Sequence, residues 1–124
     1  MNHDEIKNLR VKLKKLKSYM EEVASIDSAY NNEYDPDDIM QGKMHNHCGC
    51  SAFTVQKMFG GQIVSMKGHY WNKFDYYQFD LTHEELKPRY SVHRDCPPRK
   101  STNKRFQKYY NRVVSLLHEH PEIL

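Results

Sequence analysis

The sequence predicts an α+β protein in which a small antiparallel sheet packs against helices. Two observations carry that prediction. Apolar residues toward both ends recur at three- and four-residue steps, the spacing of one helix face, whereas residues 62 to 81 are crowded with β-branched and aromatic side chains. Gly60 and Gly61 stand where one period gives way to the other. A length of 124 residues suits a single domain over 1–124, and 38% hydrophobic residues suffice for one core despite a mean hydropathy of -0.93.

Ile6, Leu9, Leu13, Leu16, Met20 and Val23 form one stripe, which predicts an amphipathic helix over 4–26. Fewer than three heptads is short for a coiled coil, so the stripe should pack on the rest of the domain or make a weak dimer contact. Residues 27 to 47 are polar, with a turn expected at Asp35-Pro36-Asp37-Asp38. Helical spacing resumes from Cys48 to Phe59. Two strands, 62–72 and 76–81, should then form a hairpin about a turn centred on Phe74-Asp75. Thr82 and Glu85 have the spacing of a capping box for a short helix that Pro88 ends. After Pro97-Pro98, Ser101 or Thr102 should cap a last helix carrying Phe106, Tyr109, Tyr110, Val113, Val114, Leu116 and Leu117.

The charged start MNHDEIKNLR lacks the apolar run of a secretory signal, and nothing approaches the roughly 18 apolar residues of a membrane span, so a cytoplasmic protein without a membrane partner is expected. Three cysteines, two of them separated by one residue, do not form a disulfide framework; reduced thiols follow. Net charge is +3, but Lys7, Arg10, Lys12, Lys14, Lys15 and Lys17 cluster early, and Arg99, Lys100, Lys104, Arg105, Lys108 and Arg112 cluster late. Either cluster would attract nucleic acid or an acidic protein, although such charges are ordinary on solvated helix faces.

Cys48 opens a helix, where unpaired N–H groups and the helix dipole favour a thiolate. Cys48, Ala52, Val55 and Phe59 share one stripe, so the thiol is expected at the end of the core-facing side; Cys50 lies about 200° around the helix and is given no role. A turn centred on Phe74-Asp75 would set His69 directly opposite Asp80, with Cβ atoms roughly 4.5 to 5.5 Å apart. The carboxylate would hold the imidazole while its other nitrogen reaches the thiol, giving a Cys-His-Asp triad. Trp71 would share that face and wall it against water. The competing chemistry is zinc, from His45, His47, Cys48 and Cys50 with His93 and Cys96. No pair has the C-x2-4-C spacing of a zinc knuckle, so neither metal nor cofactor is expected.

The blocks HNHCGCSAFTVQKMFGGQI, HYWN and DLT resemble the small bacterial YunG-like family, which carries G-Q-C-x-x-x-A-L-x-V-Q-x-x-F-G-G-E-I, H-Y-W-N and D-L-T in the same order. The likeness covers about 44 to 86 and extends to 117 through Arg105-Phe106 and Tyr109, leaving the N-terminal helix as an addition to a 44–117 core. It implies a papain- or transglutaminase-like arrangement in which Cys48, His69 and Asp80 are the catalytic residues. Trp71, Asn72 and His47 are then expected at the substrate, His47 standing where the family has Gln. Gln41, seven residues before Cys48, lies near the place of a papain-like oxyanion glutamine.

Two function classes follow. One is a cysteine hydrolase or acyl transferase acting on an amide, isopeptide or glutamine-type carbonyl of a protein or small molecule. The other is a binding module or inhibitor whose basic, Tyr-rich helices engage nucleic acid or an acidic protein, with Tyr109 and Tyr110 stacking on bases.

Overall fold

A computed structural model of the protein describes residues 1–96 and 103–123. The first helix, α1, spans His3–Val23; Asn2 caps it by accepting from Glu5 N at 2.9 Å, and Asp4 and Glu5 suit its positive end. Ile6, Leu9, Leu13, Leu16 and Met20 are all buried in the core, so the stripe is consumed within the chain. The helix stops short of the expected residue 26 because the Ser28 hydroxyl accepts from Ser25 N and donates to Ser25 O, drawing the chain into a loop. From there to residue 47 the backbone is irregular, with 3-10 turns at Tyr30–Asn32 and Gly42–Met44.

Helix α2 runs Cys48–Phe59, and every residue from Cys50 to Val55 is buried. This corrects the single-stripe expectation: α2 packs on both the sheet and the last helix, so Cys50 lies in the core while Cys48, at the open end, is half-buried. Gly61 then turns the chain at φ +76, where a Cβ would stand 2.7 Å from the carbonyl oxygen of Lys73.

The sheet holds β1 (Gln62–Met66), β2 (His69–Phe74), β3 (Tyr77–Phe79) and β4 (Arg94–Asp95), all antiparallel, in the order β3-β2-β1-β4. The expected strand 62–72 is itself a hairpin, folded at Lys67 and Gly68. Both have positive φ, 51° and 79°, the backbone of a primed two-residue turn that Gly permits. The second hairpin turns on Asp75-Tyr76, with Phe74 opposite Tyr77 and Asn72 opposite Phe79. Its register differs by two residues from the expected pairing of His69 with Asp80. A two-residue slip preserves the face of every side chain, so the two remain on one side as diagonal neighbours.

No helix forms at 82–88. Asp80, not Thr82, is the capping side chain there: its Oδ1 accepts from Thr82 N at 3.0 Å and Thr82 Oγ1 at 2.6 Å, closing a turn. The last helix, α3, spans Lys104–Glu119 and is capped by Asn103, whose Oδ1 accepts from Phe106 N at 3.2 Å; Ser101 and Thr102, the expected caps, lie outside the described residues. Tyr109 is fully buried and donates to Met20 O at 2.8 Å, tying α3 to α1. Its ring is therefore not open to stacking on bases. The core joins α1, α2, α3 and the sheet, giving the α+β architecture expected. Among the described residues no helix is long and apolar enough to cross a membrane.

Candidate active site

The Lys67–Gly68 turn carries the start of β2 against the N-terminus of α2. Cys48 Sγ lies 4.0 Å from Gly68 O, and the next residue is His69. The first intrahelical bond of α2 is Ser51 N to His47 O at 2.8 Å, so the N–H groups of Cys48, Gly49 and Cys50 precede the ladder.

The His69 ring is buried and its Nε2 lies 2.6 Å from Asp80 Oδ2. A neutral ring held by a carboxylate carries its proton on Nε2, which leaves Nδ1 as the ring nitrogen available to the neighbouring Cys48. Burial alone would lower the His69 pKa from 6.5. The bonds to Asp80 and Cys48, with their charge, outweigh it and push the value up to about 9. The pair with Asp80 thus favours the imidazolium, which stands between a carboxylate and a sulfur.

Asp80 is 1% exposed and held on both oxygens, Oδ2 by His69 and Oδ1 by Thr82. Thr82 Oγ1 in turn accepts from Gln41 Nε2 at 3.3 Å, while Gln41 Oε1 accepts from Asn46 N at 3.3 Å. A continuous chain of bonds therefore runs Gln41–Thr82–Asp80–His69, with Cys48 beside the ring. Trp71 packs on His69 with ring centroids 5.8 Å apart, and its indole N–H donates to Gln78 Oε1 at 2.8 Å. It backs the imidazole instead of facing a ligand.

Two residues assigned to the substrate sit elsewhere. His47 is fully buried, with Nε2 2.6 Å from Ser28 Oγ and Nδ1 2.7 Å from His45 O, and burial lowers its pKa. It is a core residue at the base of α2. Asn72 points to the other side of β2 from Trp71 and donates to Ala52 O at 2.9 Å, fastening the strand to α2. Cys50 donates to Ser28 O at 3.4 Å, and burial pushes its thiol up to about 12. These uses, with His45 accepting from Asp35 N at 3.0 Å, occupy His45, His47 and Cys50 of the set considered for zinc. Among the described residues no three His, Cys, Asp or Glu side chains come together as a metal site requires.

Cys48 and His69 open into a cleft of about 650 Å³ that Gln41 and Tyr30 also line. Gly49 admits α3 to its wall: a Cβ there would lie 2.6 Å from Phe106 Cζ. A model described as YunG protein matches residues 12–121. The chain belongs to the YunG family. The match begins inside α1, so the family likeness is not confined to 44–117 and takes in the second half of that helix. No curated protein and no solved structure matches the chain significantly.

Within the YunG family motifs, the DLT block acquires a physical meaning as an Asp-x-Thr turn that locks the acid. The two-residue spacing was a readable signal, which the capping-box reading of Thr82 passed over. Tyr30, Arg89 and Tyr90, which reach the cleft from distant loops, left no mark in sequence spacing.

Proposed function

We propose that the protein is a cysteine-dependent hydrolase or acyl transferase acting on an amide-type carbonyl, with Cys48 as nucleophile, His69 as its proton partner and Asp80 as the orienting acid. The observation that carries this reading is the single imidazole shared by Asp80, at 2.6 Å, and a cysteine heading a helix. An imidazolium beside the sulfur favours the thiolate, as do the free N–H groups of the first turn of α2.

The steps follow from these positions. Cys48 Sγ adds to the carbonyl carbon, and the oxygen that gains charge is stabilised by the Cys48 N–H and the second N–H of the Gln41 amide. His69 gives its proton to the leaving nitrogen, which departs as the amine. Water, or an acceptor amine, then loses a proton to His69 as it attacks the thioester and frees Cys48. The arrangement resembles that of papain- and transglutaminase-like enzymes. The half-exposed cleft supports a substrate that enters from one side, such as a side-chain amide or a chain end.

Selective alkylation tests the reading. With iodoacetamide at pH about 6, well below the ordinary thiol value near 8.5, Cys48 should be labelled much faster than Cys50 or Cys96. His69→Ala should slow it at that pH. If folded Cys48 labels no faster than Cys96, which is also part-exposed, the nucleophile assignment fails.

A further inference from the structure

The cleft beside Cys48 carries charge of one sign. Lys67, Arg89 and Arg105 all line it, and among the described residues that do so none is Asp or Glu. Nor, among the described residues, is any of the three cations joined to a carboxylate in an ion pair. The contrast with Arg112 is direct: that residue, also on α3, is held by Asp27 through two bonds of 2.8 and 2.6 Å.

Two of the cations are presented on aromatic rings. Arg105 lies 5.7 Å from the Tyr30 ring centroid and 5.1 Å from that of Phe106, and its Nη1 donates to Ser28 O at 3.1 Å. Arg89 lies 5.7 Å from the Tyr90 ring. Stacking and one backbone bond fix the plane of a guanidinium while leaving most of its N–H donors for a planar or tetrahedral anion. Lys67 sits in the turn that delivers His69, so its charge is built into the same wall as the imidazole.

We propose that this cleft selects substrates bearing an anionic group, a carboxylate or a phosphoryl group, beside the carbonyl that Cys48 attacks. The proposal rests on the reading of Cys48 as nucleophile and names the substrate class of that site. A substrate carboxylate or phosphate engages Arg89 and Arg105 while the carbonyl lies over Sγ. Cations converging in a cleft with low-dielectric walls raise the local concentration of such a substrate and fix its orientation. Neutral amides bind without that gain.

The test compares two alkylating probes of equal reach, iodoacetate and iodoacetamide, reacting with Cys48 of the intact chain at neutral pH and low ionic strength. The iodoacetate-to-iodoacetamide rate ratio should exceed that of the same chain in denaturant by about tenfold or more, and should collapse as salt is raised. Arg89→Gln, at an exposed position, and Arg105→Lys, which keeps the charge but not the planar fork, should each lower the ratio several-fold. A ratio that neither salt nor Arg89→Gln changes would overturn the anion proposal even with Cys48 still selectively reactive, whereas loss of that selectivity would overturn the nucleophile reading instead. Protection of Cys48 by inorganic phosphate assigns the phosphoryl class, protection by succinate the carboxylate class, and protection by neither refutes the proposal.

Discussion

Replacing Asp80 by Asn removes one charge from a buried pair while keeping the side chain's shape and an acceptor for Thr82. In the native protein the His69 pKa is about 9, against the ordinary 6.5. That gap corresponds to about 3 kcal/mol of preference for the imidazolium in the folded state. The sign follows from linkage: a value raised by folding stabilises the protein fully below 6.5, and the contribution is lost as pH rises through 9. Burial pulls the value down, while Asp80 supplies the larger of the two upward effects and Cys48 the smaller. Removing Asp80 therefore takes away at least half the gap, about 2 kcal/mol. Urea unfolding across pH 6 to 10 should show Asp80→Asn least stable relative to wild type at the acid end, the two curves converging toward the alkaline end. Histidine C2-proton NMR should show His69 titrating well below 9 in the variant. A stability difference that is the same at every pH, or a His69 that still titrates near 9, would refute the assignment of that charge to Asp80.

Three other outcomes are expected. Thr82→Val deletes the hydroxyl that donates to Asp80 Oδ1 at 2.6 Å, and should slow Cys48 alkylation at pH about 6 several-fold, while Thr82→Ser restores it; equal rates in all three proteins would exclude a positioning role. Gly49→Ala forces a Cβ to within 2.6 Å of Phe106 Cζ in the packed wall between α2 and α3, and should cost about 1–3 kcal/mol by urea unfolding. A stabilised Gly49→Ala, as helix propensity alone would give, would contradict the packing described. Asp27→Asn should destabilise by less than about 1 kcal/mol, because that carboxylate is half-exposed although hydrogen bonds from Arg112, Ser25 and Lys108 hold its pKa well below 3.8; the contribution is present above 3.8 and fades as pH falls below it. A loss above about 2 kcal/mol at pH 7 would show the cluster to be structural.

The helices were readable because their apolar spacing is local: Ile6, Leu9, Leu13, Leu16 and Met20 are the buried face of α1 just as their steps imply. The sheet was read with one turn too few. Lys67–Gly68 and Asp75–Tyr76 are both two-residue turns, but neither is Asn-Gly, and a run rich in aromatic residues conceals a reversal inside it. Cys48, His69 and Asp80 come together nonetheless because the register differs by an even number of residues, which leaves side-chain faces unchanged. His47 shows the opposite case. Nothing in a cluster of His and Cys says which rings point inward, and its burial depends on Ser28, Tyr34 and Tyr109, residues up to 62 positions away. Of the cleft's cations only Arg105 belongs to a basic cluster visible in the sequence; Lys67 and Arg89 stand outside both clusters. Their convergence beside Cys48 is a property of two loops and α3 meeting in space.

The most direct measurement of the central claim is capture of the acyl-enzyme. A p-nitrophenyl ester mixed with the protein should release a burst of p-nitrophenol stoichiometric with the chain, and rapid acid quench with peptide mass spectrometry should place the acyl group on Cys48. The burst should be absent in Cys48→Ala and slowed in His69→Ala. Acylation spread over lysines at rates indifferent to both substitutions would contradict a nucleophilic Cys48 activated by His69.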